Sequence, residues 1–319
     1  PKKAAATSYH DVALLYSQCW LYGPNSALSD GLLKEKLVTL LMLDSACRPS
    51  DMWRVNRVMS GRHQQIKIDD KAMEIRYFWP KEVVPGSSRS NATGRWFSKW
   101  VRIARTVPVV LCTVTTMEDF LARTSDPALF ATHYIPQLKL HTQSLVYGQK
   151  RGGMLARASV DHISNLVQRN MDDADMGKMT TSHLRGASTS KIVDVAPHLH
   201  GEAMSLGRWT TTRTFDNHYY APLLVPPSPV PAQMRDNPQQ VLRWGWSPNS
   251  PQGVTAIDYE KGPTFWVNKK FQNGARTSTI ASFDDGTYSV SCNGTTQDFT
   301  HENLMSWIGA ARSSRHSGS

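Results

Sequence analysis

The sequence predicts a mainly α-helical region carrying a small antiparallel β-sheet, followed by a small all-β module. Three observations carry that expectation. Apolar residues recur at helical spacing through much of the first 220 residues. Two short segments of strand chemistry flank the turn Asp69-Asp70-Lys71. Beyond a proline-rich stretch, Pro222 to Pro238, short strands alternate with the hairpin turns Asp284-Asp285-Gly286 and Asn293-Gly294.

The first helix is expected from Tyr9 to Trp20, on the spacing of Val12, Leu15 and Cys19, and Gly23-Pro24-Asn25 breaks it. A second runs from about Leu28 to Ser45, with Leu33, Leu37, Leu40, Leu41 and Leu43 as its apolar residues. Pro49 follows Arg48 directly. Proline suits the first position of a helix, so Arg48 is expected at a rigid joint between two helices. Gln65–Ile68 and Met73–Phe78 form a hairpin, and Trp100–Ile103 a third strand. Further helices are expected at Val114–Arg123, Ser159–Met171, Ser182–Val195 and Gly201–Leu206, with another after Trp209.

The chain divides on this reading into an α-rich region (1–221), a proline-rich linker (222–252), a β module (253–311) and a disordered tail (312–319). The prolines from Pro222 to Pro238 favour an extended strap there. In the β module, strands are expected at Phe265–Val267, Thr277–Phe283, Tyr288–Cys292 and Gln297–Thr300, closed by a helical turn at Glu302–Ile308. That rhythm is similar to a small SH3/Tudor-like barrel.

Lys and Arg number 36 against 26 Asp and Glu, a net charge of +10. Such an excess fits a polyanionic partner, nucleic acid first, and fits equally a merely basic soluble protein. The four cysteines, Cys19, Cys47, Cys112 and Cys292, show neither C-x-x-C spacing nor a zinc-ligand cluster with histidine. Reduced thiols in a nuclear or cytosolic compartment fit that pattern. No apolar run approaches the roughly 20 residues needed to span a bilayer, and no secretory leader is visible. The chain opens Pro-Lys-Lys, which reads as a piece of something longer.

Three segments carry candidate chemistry. In Ala46-Cys47-Arg48-Pro49-Ser50-Asp51, a guanidinium on a fixed joint can grip a phosphate with two parallel hydrogen bonds, and Asp51 can hold that guanidinium. The competing reading is a surface Arg–Asp pair. In Ser182-His183-Leu184-Arg185-Gly186-Ala187-Ser188-Thr189-Ser190, His183 can move a proton near neutral pH and Arg185 can supply a second clamp. The competing reading is a helix cap, with Ser182 as N-cap and Arg185 solvated. In Gly207-Arg208-Trp209, followed by a threonine run and by Phe215-Asp216-Asn217-His218-Tyr219-Tyr220, two tyrosines stand just before the proline-rich linker.

Arg48, a hairpin lysine, a His/Arg box, Trp209 and then a tyrosine follow the order of catalytic parts in tyrosine recombinases. The runs Arg185–Ser190 and Gly207–Tyr220 resemble most the DIRS-like and Crypton-like branch from eukaryotic transposons. The likeness covers roughly Tyr9 to Tyr220 and implies the tyrosine recombinase catalytic fold. It implies that Tyr219 attacks the scissile phosphate to form a 3′-phosphotyrosyl bond, while Arg48 and Arg185 neutralise the non-bridging oxygens. Lys81 would protonate the leaving 5′-oxygen, with Lys71 as the alternative. His183 would accept a proton, and Trp209 would buttress the site. No cofactor and no metal is implied.

This sequence departs from the family pattern at one place. The family box reads His-x-x-Arg, and here Ser182 holds the histidine position while His183 lies one place nearer Arg185. The resemblance implies Tyr219 over Tyr220, because Tyr219 lies ten residues after Trp209, the spacing associated with the DIRS-like branch. Neighbours on a helix point about 100° apart, so only one of the two faces a given phosphate.

The resemblance further implies double-stranded DNA as partner, a nuclear location, and a homo-tetramer on DNA. Without DNA the chain is expected to be mainly monomeric, because no heptad seam is visible. Two other readings stay open: relaxation of DNA in the manner of a type IB topoisomerase, and a domesticated, inactive DNA-binding or chromatin-reading protein. In the β module, Trp266, Phe283 and Tyr288, with Phe271 and Phe299, form either an aromatic cage for a methylated lysine of a histone tail or the core of a small barrel. Lys269, Lys270 and Arg276 offer additional DNA contact.

Overall fold

The computed structural model describes residues 12–78, 98–135, 138–151, 154–174, 176, 179–207, 209, 212–218, 220, 236–243, 270–273, 276–284, 287–292 and 295–300. Among these, helices and small antiparallel sheets combine in an α+β arrangement.

The helical part is built around α2 (Asp30–Ser45). Ser29 caps its start, its hydroxyl accepting the Leu32 N–H at 3.3 Å. Every residue from Leu32 to Ser45 is buried, although the sequence suggests an apolar stripe only. The reason is position: α1 (Ala13–Leu21), α4 (Thr113–Arg123), α5 (Val160–Asp173) and α6 (Thr181–Val195) all pack on it. Its polar side chains reach fixed partners instead of water. Lys36 donates to the Gly23 carbonyl at 2.8 Å and to Asn25 at 2.9 Å, and Glu35 accepts from the Tyr22 hydroxyl at 2.6 Å.

On α5 the buried residues Ile163, Leu166, Val167, Asn170 and Met171 follow the helical period, and Ser159 caps the start. In α6, by contrast, Leu184 to Ile192 are all buried. The small residues Gly186, Ala187, Ser188, Thr189 and Ser190 let α2, α5, α7 (His200–Gly207) and α9 (Pro238–Arg243) approach it closely.

A three-stranded sheet, order β1-β2-β3, covers one side: β1 (Ile66–Ile68), β2 (Ala72–Phe78) and β3 (Ser98–Ala104). Asp69 closes the β1–β2 turn, its carboxylate accepting the N–H groups of Lys71 and Ala72 at 2.8 and 2.7 Å. Alternation sends Ile66, Met73, Ile75, Tyr77, Val101 and Ile103 into the core.

Two hairpins escape the sequence reading: β4 (His133–Ile135) with β5 (Leu140–Thr142), and β6 (Tyr147–Arg151) with β7 (Met154–Arg157). Strands of three to five residues are too short to show a period.

The strap expected from Pro222 to Pro238 lies almost wholly outside the described residues. Further along the stretch read as linker, residues 238–243 form helix α9, with Gln239 to Arg243 buried. Asn237 begins it, its side-chain oxygen accepting the N–H groups of Gln239 and Gln240, both at 3.1 Å. Pro238 stands first in the helix, where its missing N–H costs nothing. At the other end, Arg243 gives two hydrogen bonds to Asp44, at 3.1 and 2.8 Å, and both side chains are fully buried. Arg243 also donates to the carbonyls of Gln239 and Leu111, at 2.6 and 2.7 Å, and lies over the Tyr16 ring. The Tyr16 hydroxyl donates to the same carboxylate at 2.6 Å, and Thr113 does so too. Burial opposes the Arg243 charge, but Asp44 and Tyr16 more than offset it and hold the guanidinium above its ordinary pKa.

The barrel expectation also changes. Strands β8 (Lys270–Asn273), β9 (Arg276–Asp284), β10 (Thr287–Cys292) and β11 (Thr295–Thr300) form an open meander, order β11-β10-β9-β8. Among the described residues the sheet does not close. The strand expected at Phe265–Val267 and the turn at Glu302–Ile308 lie outside them.

Candidate active site

Arg48 sits where the sequence places it, at the joint between α2 and the short helix α3 (Pro49–Met52). Helix α2 ends on Ala46 in the left-handed region, φ 46°, and the chain then extends at Arg48 before turning into α3. Asp51 fixes the joint itself. Its carboxylate accepts the backbone N–H of Arg48 at 3.0 Å and lies 3.8 Å from the Arg54 guanidinium. A carboxylate in the first turn of a helix naturally finds the orphan amide at the N-cap, and that fixes the joint.

Other cations gather beside α3. Arg157, at the end of β7, stacks over the Trp53 ring at 3.5 Å and donates to the Trp53 carbonyl at 2.7 Å. Burial, and then the charge of Arg54, lower its pKa to about 10. Sequence reasoning misses Arg54 and Arg157, because the β6–β7 hairpin that brings Arg157 to Trp53 has no strong pattern.

The His/Arg box opens α6, but its cap is Thr180, not Ser182. His183 is the third helical residue and reaches back, its Nδ1 accepting the Thr180 N–H at 3.1 Å. The Thr180 hydroxyl lies 3.1 Å from Nδ1 and 2.7 Å from the Ser182 hydroxyl. While Nδ1 accepts, the proton of the neutral ring belongs on Nε2. In that form Nε2 is a hydrogen-bond donor, not a base.

Helical geometry also separates the pair. Residues two apart on a helix point about 200° from one another, whereas residues three apart share a face. Ser182 therefore shares a face with Arg185, and His183 does not. Both Ser182 and His183 are exposed, while Arg185 is only 3 % exposed.

Arg185 and Trp209, separate in the sequence, do come together: the guanidinium lies 4.7 Å from the indole centroid. The indole in turn rests on Phe215 of α8 (Thr212–His218), with ring centroids 4.8 Å apart. Gly207, the last residue of α7, makes this seat available. A Cβ at position 207 would fall 1.6 Å from Trp209 Cζ3. Gly207→Ala is therefore expected to push the indole off Arg185 and to cost about 1–3 kcal/mol by overpacking. Gly201→Ala, with nothing within 4 Å of the added carbon, is the matched neutral change. Urea denaturation of the two variants side by side checks this, and equal stabilities would refute the seat.

Tyr220 follows α8. Its N–H bonds the Phe215 carbonyl at 2.8 Å, its ring lies 5.6 Å from that of Phe215, and its hydroxyl donates to Asp194 of α6. This hydrogen bond, reinforced by burial and the nearby carboxylates, lifts the phenol pKa to about 12. Asp194 is a site residue that nothing in the sequence signals. Tyr219, the preferred nucleophile, and Lys81 lie outside the described residues. Lys71 stands at the exposed tip of the β1–β2 hairpin.

Of the aromatic cage residues, Tyr288 is fully buried, and burial raises its pKa to about 12. It pairs across the sheet with Phe283 on one side and Phe299 on the other. A cage wall needs an open ring face, so Tyr288 belongs to the core of the sheet. Trp266 lies outside the described residues.

Among the described residues, no group of three or more His, Cys, Asp and Glu gathers as a metal site, and no helix is long and apolar enough to cross a membrane. Comparison with protein-family models, with curated proteins and with solved structures finds no match for this chain.

Proposed function

We propose that this chain is a tyrosine recombinase that cleaves and rejoins duplex DNA through a 3′-phosphotyrosyl intermediate, in the service of a mobile element. The observation that carries the reading is Arg185, buried beneath Trp209. A buried, pre-oriented guanidinium suits a reaction in which negative charge grows on a phosphate.

In this mechanism the Tyr219 oxygen attacks the phosphorus and the bond to the 5′-oxygen breaks. Lys81, or Lys71 in its place, gives the leaving oxygen a proton. Arg48 and Arg185 hold the two non-bridging oxygens. The capping geometry turns His183 away from Arg185 and from the phosphate that Arg185 holds, so His183 does not take the tyrosine proton. That proton passes to water. The covalent bond conserves the phosphodiester energy, so rejoining is close to isoenergetic. No step calls for a metal.

A nicked suicide substrate, whose short 5′ fragment diffuses away after cleavage, tests the reading directly. A covalent protein–DNA adduct is expected on denaturing gels, at equal yield with and without EDTA. Strict dependence on Mg²⁺ would sink the arginine mechanism.

One observation favours a second reading, an inactive DNA-binding descendant of such an enzyme: the histidine of the box is tied into a helix cap and turned from Arg185. Under that reading duplex DNA still binds, and no adduct forms on any nicked substrate.

A further inference from the structure

The three-stranded sheet has a second face, opposite the core. In register, Lys67 faces Glu74 and Glu74 faces Arg102, forming one cross-strand row. In the next row along, Arg76 faces Trp100. Adjacent strands lie about 4.8 Å apart and like-facing residues about 7 Å apart along a strand, so the three cations span a patch roughly 10 Å across.

Trp100 organises the patch. Lys67 Nζ lies 4.2 Å from the Trp100 ring centroid, and the Arg76 guanidinium lies 5.7 Å from it and 4.8 Å from that of Phe78. Arg76 is further aimed by hydrogen bonds to the Ser98 hydroxyl at 2.8 Å and the Arg62 carbonyl at 3.2 Å. Glu74 is the one carboxylate on this face of the described strands, and two cations share it, Lys67 at 3.5 Å and Arg102 at 3.9 Å. The side chains of Lys67 and Arg102 are 48 % and 56 % exposed. Positive charge is thus in excess, ordered by an aromatic ring, and open to solvent.

We infer that this face grips the phosphate backbone of duplex DNA as a contact separate from the cleavage chemistry. Charge complementarity selects the occupant. A duplex carries about one negative charge per 1.7 Å of its axis, dense enough to meet all three cations at once. The contact positions DNA without reading its bases. The inference rests on duplex DNA being the substrate.

The test uses the full chain and a fluorescein-labelled duplex, with anisotropy followed across a salt titration. Joint replacement Lys67→Gln, Arg76→Gln and Arg102→Gln is expected to weaken binding about 10- to 100-fold. It should also flatten the plot of log affinity against log salt by about 2–3, near 0.9 per phosphate contact. Glu74→Gln is expected to bind a few-fold tighter, a gain that damage to the fold does not produce. Adduct yield at saturating DNA should stay within about twofold for both. If wild type binds duplex DNA and neither variant changes affinity or slope, the surface is not a contact. Weakening in the triple variant without tightening in Glu74→Gln overturns it as well, since that pattern marks a damaged sheet. Failure of wild type to bind duplex DNA at low salt overturns the strand-transfer reading itself.

Discussion

Tyr219→Phe is expected to abolish the covalent adduct, a loss of at least about a thousandfold in rate, while leaving duplex affinity within about twofold. One oxygen is removed, and every cation stays. The neighbouring substitution is the informative companion. The Tyr220 hydroxyl already donates to Asp194, and its pKa lies near 12. A phenol held in that way is a poor nucleophile, and its hydrogen bond ties the end of α8 to α6. Tyr220→Phe is therefore expected to slow adduct formation only several-fold. Asp194→Asn, which keeps an acceptor, should retain more activity than Asp194→Ala. Mass spectrometry of the trapped peptide identifies the modified tyrosine. An adduct on Tyr220, or a dead Tyr220→Phe beside an active Tyr219→Phe, would reverse the assignment.

The second large effect is on stability. Arg243→Leu leaves the Asp44 carboxylate buried beside Tyr16 and Thr113 with its counter-charge gone. Breaking a buried pair on one side costs about 3–5 kcal/mol. In a domain of this size that lowers Tm by roughly 6–20 °C. Replacing both partners, Asp44→Leu with Arg243→Leu, should recover most of the loss, because no uncompensated charge remains. Thermal melts of the three proteins decide the matter. A harmless single substitution would mean that α9 adds nothing to the core.

Much of this was legible in the sequence, for reasons that can be traced. The sheet around Asp69 and the helices starting after Ser29 and Ser159 carry caps, turns and periods strong enough to read locally. Arg48 was legible because Pro49 fixes its place at a joint. The misses have physical causes too. The start of α9 is signalled by Asn237-Pro238, but the surrounding prolines mask the signal, and burial of Arg243 depends on a carboxylate far away in the chain. The Thr180–His183 cap lies two residues before the one expected, since Thr180, Thr181 and Ser182 are all competent caps and only tertiary packing chooses among them. Asp194 has no pattern of its own. Its part follows from where α8 ends.

The pairing of α9 with α2 also bears on how the chain reaches its native state. Asp44 and Arg243 stand 199 residues apart. Joining them closes a very large loop, and the entropy of that closure must be met before the ion pair returns anything. The local units, namely the β1–β2 hairpin, α5 and the α6–α7 pair, can form early, but the helical core stays incomplete until Arg243 docks. During synthesis the same order is imposed by the ribosome, which delivers Arg243 after the other helices of this core. A chain cut at about Leu224 would lack that final piece altogether, leaving Asp44, Leu111 and Gln239's seat on β3 exposed to solvent. Such a truncation should therefore aggregate or melt early.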